Sequence, residues 1–257
     1  MKAAWIAFGF ATLGAAAPLF AAPCEKHSPS HAVALVELYT SEGCDSCPPA
    51  ERWLNKLGRD PGALDSAVPL ALHVDYWDRL GWPDRFADGR FAERQRTLAS
   101  LSGSRAIYTP GVFLNLRELR GWSSTSVLQG ELRKVNDRPA LVDIRLALEA
   151  APPGQLAITA AFQPKPGAKR PQAFVALYEN GLVTEVKAGE NRGATLRHDH
   201  VVRRWFGPLD PALPFRRVVP LEPDWNAQRL GVAAFVQDDA SGEILQATAL
   251  GVCHETR

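Results

Sequence analysis

Residues 36–50 read Val36-Glu37-Leu38-Tyr39-Thr40-Ser41-Glu42-Gly43-Cys44-Asp45-Ser46-Cys47-Pro48-Pro49-Ala50. The run from Val33 to Tyr39 is short and nearly continuous in apolar side chains, which suits a strand covered on both faces. Beyond it, Ala50, Trp53, Leu54 and Leu57 recur at helical spacing and Gly58 stops the repeat, so a helix is expected over Pro49 to Leu57. Two cysteines three positions apart therefore sit where a buried strand gives way to a helix. A helix start stabilises a thiolate through its unpaired N–H groups and aligned peptide dipoles. Pro48 and Pro49 are tolerated there, because the N–H groups they lack would have been unpaired anyway. The spacing predicts Cys44 as the exposed nucleophile and Cys47 as the thiol beneath it that resolves a mixed disulfide.

Working outward, Val68 to Val74 reads as a second buried strand and Phe86 to Leu101 as a helix with one solvated basic face. Gly111 to Leu116 and Leu119 to Trp122 follow as short strands. A last helix opens at Ser123 or Ser124, whose hydroxyls suit an N-cap, and runs to about Asn136. The order β-α-β-α-β-β-α makes the first two strands parallel by a right-handed crossover and the last two a hairpin. Beyond Pro139 the pattern changes to strands separated by Pro and Gly clusters, with hairpin signals at Asn180-Gly181 and from Asp238 to Gly242. The expected fold class is an α/β domain over residues 31–138 followed by a mainly antiparallel, sandwich-like β domain over residues 139–253.

The chain before this is an export signal by pattern. Lys2 precedes an apolar run from Ala3 to Ala17 that is too short to span a bilayer and ends in small residues, so residues 1–23 read as a signal peptide. A periplasmic or secreted location follows, with no membrane span after cleavage. The 257 residues carry 29 basic and 28 acidic side chains, and with no RNA-module signature a nucleic-acid partner is not expected. With 46% apolar and 22% charged residues, the composition is globular. Four cysteines are too few for a disulfide scaffold. Cys24 and Cys253, near the two ends of the mature chain, are expected to pair, closing a loop that the chain-entropy model values at roughly 5 kcal/mol.

Several residues are placed around the dithiol by this reading. Thr109-Pro110 opens the third strand at the sheet edge where the first two strands end, so both residues should face the dithiol, across a cis bond that presents backbone groups to a peptide. Glu37 is a carboxylate in an apolar run. Burial should raise its pKa enough to make it the proton acceptor for Cys47, the alternative being an ion pair. Asp75, Tyr76 and Trp77 emerge after the second strand and either line a substrate groove or pack their loop onto the next helix. His73 reads as a strand residue with a satisfied hydrogen bond. His198 and His200 read as a solvated pair rather than metal ligands.

The segment from Val33 to Asn136 resembles the thioredoxin superfamily in element order, dithiol position and the Thr109-Pro110 step. More narrowly, residues 36–50, with His73-Val74-Asp75-Tyr76-Trp77-Asp78-Arg79-Leu80-Gly81-Trp82 and Tyr108-Thr109-Pro110, resemble a bacterial exported family designated domain of unknown function 1223. That likeness extends to Gly189-Glu190-Asn191-Arg192-Gly193 and His198-Asp199-His200-Val201-Val202-Arg203. The narrower family brings no established activity with it. The thioredoxin resemblance implies a thioredoxin-like fold, nucleophile Cys44, resolving Cys47 and cis Pro110.

Three functions compete. The first is a thiol-disulfide oxidoreductase acting on protein thiols with an unidentified redox partner and no cofactor. Asp45 beside Cys44 disfavours its thiolate, so reduction or isomerisation is expected rather than strong oxidation. The second is a copper carrier in which Cys44 and Cys47 hold Cu(I) with His73 as third ligand. The third is a binding module in which the Cys44–Cys47 bond is merely structural.

Overall fold

The computed structural model describes residues 24–59, 62–104 and 106–251. Its first half comprises β1 (Cys24–His27), β2 (Ala34–Thr40), α1 (Pro48–Leu57), β3 (Ala67–His73), α2 (Gly89–Leu101), β4 (Gly111–Leu114), β5 (Arg117–Glu118) and α3 (Thr125–Asn136). The second half adds β6 (Val142–Ala150), β7 (Gln155–Pro164), β8 (Pro171–Glu179), β9 (Leu182–Glu185), β10 (Thr195–His198), β11 (Val201–Leu209), β12 (Phe215–Pro220), β13 (Leu230–Asp238) and β14 (Ile244–Gly251).

Local chemistry sets the helix boundaries. Helix α1 carries Pro at its first positions, Glu51 in its first turn and Lys56 in its last, the signs that suit the two ends of the peptide dipole. The Asp88 side chain accepts from the Arg90 N–H to start α2, and the Ser124 hydroxyl accepts from the Val127 N–H at 3.5 Å to start α3.

The expected division into a thioredoxin-like α/β domain and a separate antiparallel β-sandwich is corrected by the sheet topology. One eight-stranded mixed sheet runs β14-β13-β8-β11-β3-β2-β4-β5, joining strands from both halves. The junction is β11, which pairs antiparallel with β8 on one side and parallel with β3 on the other, through Val201 opposite Ala71. No distinct thioredoxin-like α/β domain exists in this arrangement. A second sheet, β1-β6-β7-β12, is antiparallel throughout, and β9 and β10 form a two-stranded ribbon.

The period of two along each strand builds three cores from this layout. On one face of the large sheet, Leu35 and Tyr39 of β2, Phe113 of β4, Phe174 of β8 and Phe235 of β13 form one continuous layer under Phe91 and Leu98 of α2. That layer crosses the junction without a break, which is the packing reason why the halves are not independent. On the other face, Val36 and Leu38 pack against Ala50 and Leu54 of α1 and Leu128 of α3. Farther along that face, Val232, Ala234 and Val236 of β13 meet Ile144 and Leu146 of the second sheet.

Gly231 is required by a close approach within this sheet. A Cβ there would lie 2.3 Å from the Tyr178 ring on the adjacent β8. Gly231→Ala is expected to cost about 1–3 kcal/mol through overpacking, read as a lower denaturant midpoint at unchanged slope. A midpoint equal to the wild type would contradict that contact. The expected signal peptide, and Cys253 as the expected partner of Cys24, lie outside the described residues. Among the described residues no helix is long and apolar enough to cross a membrane.

Candidate functional site

Strand β2 ends at Thr40, and residues 41–46 turn back so that Cys47 takes the N-cap position of α1. The turn is closed by Cys44 N–H donating to the Ser41 carbonyl at 3.1 Å and Cys47 N–H donating to the Cys44 carbonyl at 3.3 Å. Cys44 and Cys47 are joined by a disulfide. Cys47, not Cys44, therefore holds the helix start. Cys44 was expected to be exposed; both cysteines have 0% of their surface exposed. The cover comes from the second half of the chain. Asn191 Nδ2 donates to the carbonyls of Glu42 and Cys44 at 2.9 and 2.8 Å, and the Asp45 N–H donates to Glu190 Oε2 at 3.2 Å. Nothing in the local pattern around the dithiol announces a cover supplied from 145 residues away.

The Thr109–Pro110 bond is cis. Gly111 pairs with Tyr39, so this bond lies beside the end of β2, at the same end of the sheet as the dithiol turn. Tyr108, Pro110, Arg120 and Trp122 line a cavity of about 460 Å³ there. Trp122 contacts Trp53 of α1 with ring centroids 5.6 Å apart, tying that cavity to the helix that carries Cys47.

Asp75, Tyr76 and Trp77 begin a 3-10 turn over Asp75–Leu80. Asp75 is exposed, whereas Tyr76 and Trp77 are half-buried against the core under α2. The Tyr76 hydroxyl donates to Gln95 Oε1 at 3.2 Å, and Gln95 Nε2 donates to the Tyr108 carbonyl at 2.7 Å, so the turn is linked to the approach of Thr109. Burial pushes the Tyr76 phenol up to about 12.

Glu37 is not beside Cys47. The alternation along β2 sends Leu35, Glu37 and Tyr39 to the α2 face and Val36 and Leu38 to the α1 face. Glu37 accordingly pairs with Arg94 of α2, at 2.5 Å from Nε to Oε1 and 3.1 Å from Nη2 to Oε2, and accepts from the Tyr39 hydroxyl at 3.2 Å. Its assignment as proton acceptor is corrected on this ground: strand parity puts it on the wrong side of the sheet. Glu51 of α1 is instead a carboxylate on the dithiol side, where it accepts from Thr40 Oγ1 at 2.6 Å.

Residues 35–237 match the profile of a family described as protein of unknown function, DUF1223. The chain belongs to the DUF1223 family. No curated protein matches this DUF1223 chain. An X-ray structure of a protein from Agrobacterium tumefaciens is similar to it at 27% identity and a TM-score of 0.62, covering 89% of this chain and 98% of that one. HBP35 of Porphyromonas gingivalis is similar in fold, with 14% identity, a TM-score of 0.63 and coverage of 87% of this chain and 76% of that one.

The DUF1223 chain also holds a buried ionic cluster that the reading of the sequence did not assemble. His198, expected in a solvated pair with His200, is 2% exposed, and His200 is 5% exposed. His198 Nδ1 lies 2.7 Å from Glu51 Oε2, and its Nε2 lies 3.3 Å from Glu42 Oε1. His73 Nδ1 lies 2.7 Å from Asp84 Oδ2, which also accepts from the Glu42 N–H at 2.8 Å. Burial pulls the His198 imidazole down, but the Glu51 and Glu42 carboxylates outweigh it and push the group up to about 10. Burial raises Glu51 and Asp84, and the neighbouring His198 and His73 charges overcome it, so both carboxyls end below their ordinary range. His200 has no such partner among the described residues, and burial, partly opposed by Asp199, brings it down to about 4. One signal was available: Glu51 stands one turn into the helix after Cys47, on the side that meets the strand ends.

Proposed function

We propose that this DUF1223 protein exchanges disulfides with protein thiols through Cys44 and Cys47, and that it does so in an exported compartment after removal of residues 1–23. The observation that carries the reading is the closed Cys-x-x-Cys disulfide at the start of α1, at the same sheet end as Pro110 and its cavity. Tyr108 is 42% exposed beside that cavity, and with Trp122 and Arg120 it offers the aromatic and guanidinium contacts that suit a polypeptide segment.

In the reducing direction the Cys44 thiolate attacks one sulfur of a substrate disulfide. A mixed disulfide forms and the first substrate thiolate leaves. The Cys47 thiolate then attacks Cys44 Sγ, the second substrate thiolate leaves, and the Cys44–Cys47 bond closes. Two electrons have passed to the substrate, and an external dithiol donor must return them. Asp45 next to Cys44, with Glu190 on its N–H, places two carboxylates near the attacking sulfur, which favours reduction or isomerisation over strong oxidation. Reduced protein should reduce a protein disulfide such as that of insulin faster than the free donor does. No turnover with any donor and no captured substrate would defeat the reading.

The burial of both sulfurs requires the Glu190–Asn191 cover to lift before exchange. Two hydrogen bonds from Asn191, each worth about 0.5–1.5 kcal/mol net, hold it down. Asn191→Ala is therefore expected to speed reduction of the native disulfide by a phosphine about tenfold. An unchanged rate would show that the cover is not the barrier. The same burial favours a second reading, a binding module whose disulfide stays closed, and the reduction potential separates the two.

A further inference from the structure

We propose that Glu51, His73 and His198 form a binding site for a divalent transition-metal cation of the zinc type, behind the dithiol and independent of it. Each of the three offers one ligand atom, and these atoms lie within 4.8 Å of one another. All three residues are at most 3% exposed, and they come from α1, the end of β3 and the end of β10, so the folded chain converges on this point from both halves.

His73 Nε2 is buried without a polar partner among the described residues, and the two ring nitrogens of His198 face only carboxylate oxygens, Glu51 Oε2 at 2.7 Å and Glu42 Oε1 at 3.3 Å. A buried polar atom left without a partner costs about 1–3 kcal/mol, so His73 Nε2 calls for a ligand. The arrangement around it indicates which one. Asp84 binds Nδ1 of His73 and leaves Nε2 turned to the cluster. Glu42 stands at Nε2 of His198 and leaves Nδ1 beside Glu51 Oε2. A carboxylate on one imidazole nitrogen with the other nitrogen free is the arrangement that orients metal-ligating histidines, and His73 has it; at His198 the second nitrogen faces Glu51, itself a proposed ligand. Thr40 Oγ1 occupies Glu51 Oε1 and so fixes the other oxygen toward His198.

Charge and donor type point the same way. Glu42, Glu51 and Asp84 place three buried carboxyl groups around two imidazoles, an excess that a divalent cation offsets. Two imidazole nitrogens and one carboxylate oxygen suit zinc and its neighbours rather than calcium or magnesium. Zinc bonds of about 2.0–2.2 Å require His198 Nδ1 and Glu51 Oε2, 2.7 Å apart here, to separate and admit the ion between them. The Phe86 ring packs edge-on against both imidazoles, at 5.3 Å from His73 and 5.7 Å from His198, and helps to keep water out. No cysteine belongs to this cluster, so His73 is assigned here and not to a copper set with Cys44 and Cys47.

The test uses the full mature chain with its disulfides closed, stripped with a chelator and titrated with Zn²⁺ against a chromophoric competitor. One tightly bound zinc per chain is expected, with affinity lowered by at least about 100-fold in Glu51→Gln, His73→Gln and His198→Gln. Substitution by cobalt(II) in the wild type gives a second readout that does not depend on the variants folding. Its spectrum should show nitrogen and oxygen donors and no thiolate charge-transfer band. Less than one tight zinc per chain, a sulfur donor in the cobalt spectrum, or wild-type affinity in any of the three variants would overturn the site. Loss of disulfide exchange in Cys44→Ser with zinc binding intact would leave it standing, so the two proposals fail separately.

Discussion

Cys47→Ser is expected to arrest exchange at the mixed disulfide, so that Cys44 remains covalently joined to its substrate. Turnover of a model protein disulfide should fall to the uncatalysed rate, and non-reducing electrophoresis of material from the native compartment should show higher-mass species that collapse on reduction. The reasoning is that Cys44 attacks and only a second thiol in reach can release it. In the native structure that second thiol is already bonded to Cys44, across a turn closed by two backbone hydrogen bonds. Cys44→Ser should give neither turnover nor capture. Equal turnover in the Cys47→Ser variant would remove Cys47 from the mechanism.

The second large effect concerns stability. Arg94→Met should destabilise the fold by about 3–5 kcal/mol, because it leaves Glu37 as an unpaired charge in the core. Glu37 is 0% exposed and depends on Arg94 for two of its hydrogen bonds. The guanidinium also lies over the rings of Phe174, Trp205 and Phe235 at 5.4, 5.2 and 5.0 Å. Truncation thus removes packing as well as charge. The double change Glu37→Leu with Arg94→Met should recover most of the loss, since the cost lies in the stranded carboxylate and not in the absence of the pair. A loss below about 1 kcal/mol in urea unfolding of the single variant, or no recovery in the double one, would contradict this view of the pair.

Much of the local structure was legible. Apolar runs marked β2, β3, β8 and β13, and cap chemistry marked the start of α3 at Ser124. The dithiol and the Thr109-Pro110 step were also read in place. What escaped, besides the short β1 and β10, was β11. Its sequence, Val201-Val202-Arg203-Arg204-Trp205-Phe206-Gly207-Pro208-Leu209, has adjacent arginines, a glycine and a proline, and two register shifts break its pairing with β8. Neither clean alternation nor an apolar run survives in it, so the strand that fuses the two halves into the large sheet carried no strand signal. Without it the chain reads as two domains.

The site escaped for a related reason. Glu37 and Glu51 look equivalent as carboxylates near a dithiol. Only strand parity separates them, turning Glu37 toward Arg94 and leaving Glu51 with His198. His198 and Glu190 come from segments far along the chain, and their meeting with residues 41–51 is a property of the assembled sheet. Local spacing holds no record of it.

The most direct measurement is the reduction potential of the Cys44–Cys47 bond in the intact chain, obtained by equilibration in dithiol or glutathione buffers and alkylation mass analysis. Disulfide exchange on protein thiols requires a midpoint above about −300 mV, and that is the expected result. A bond that stays closed in buffers poised below about −300 mV, in the wild type and in Asn191→Ala alike, would contradict a redox role for the dithiol.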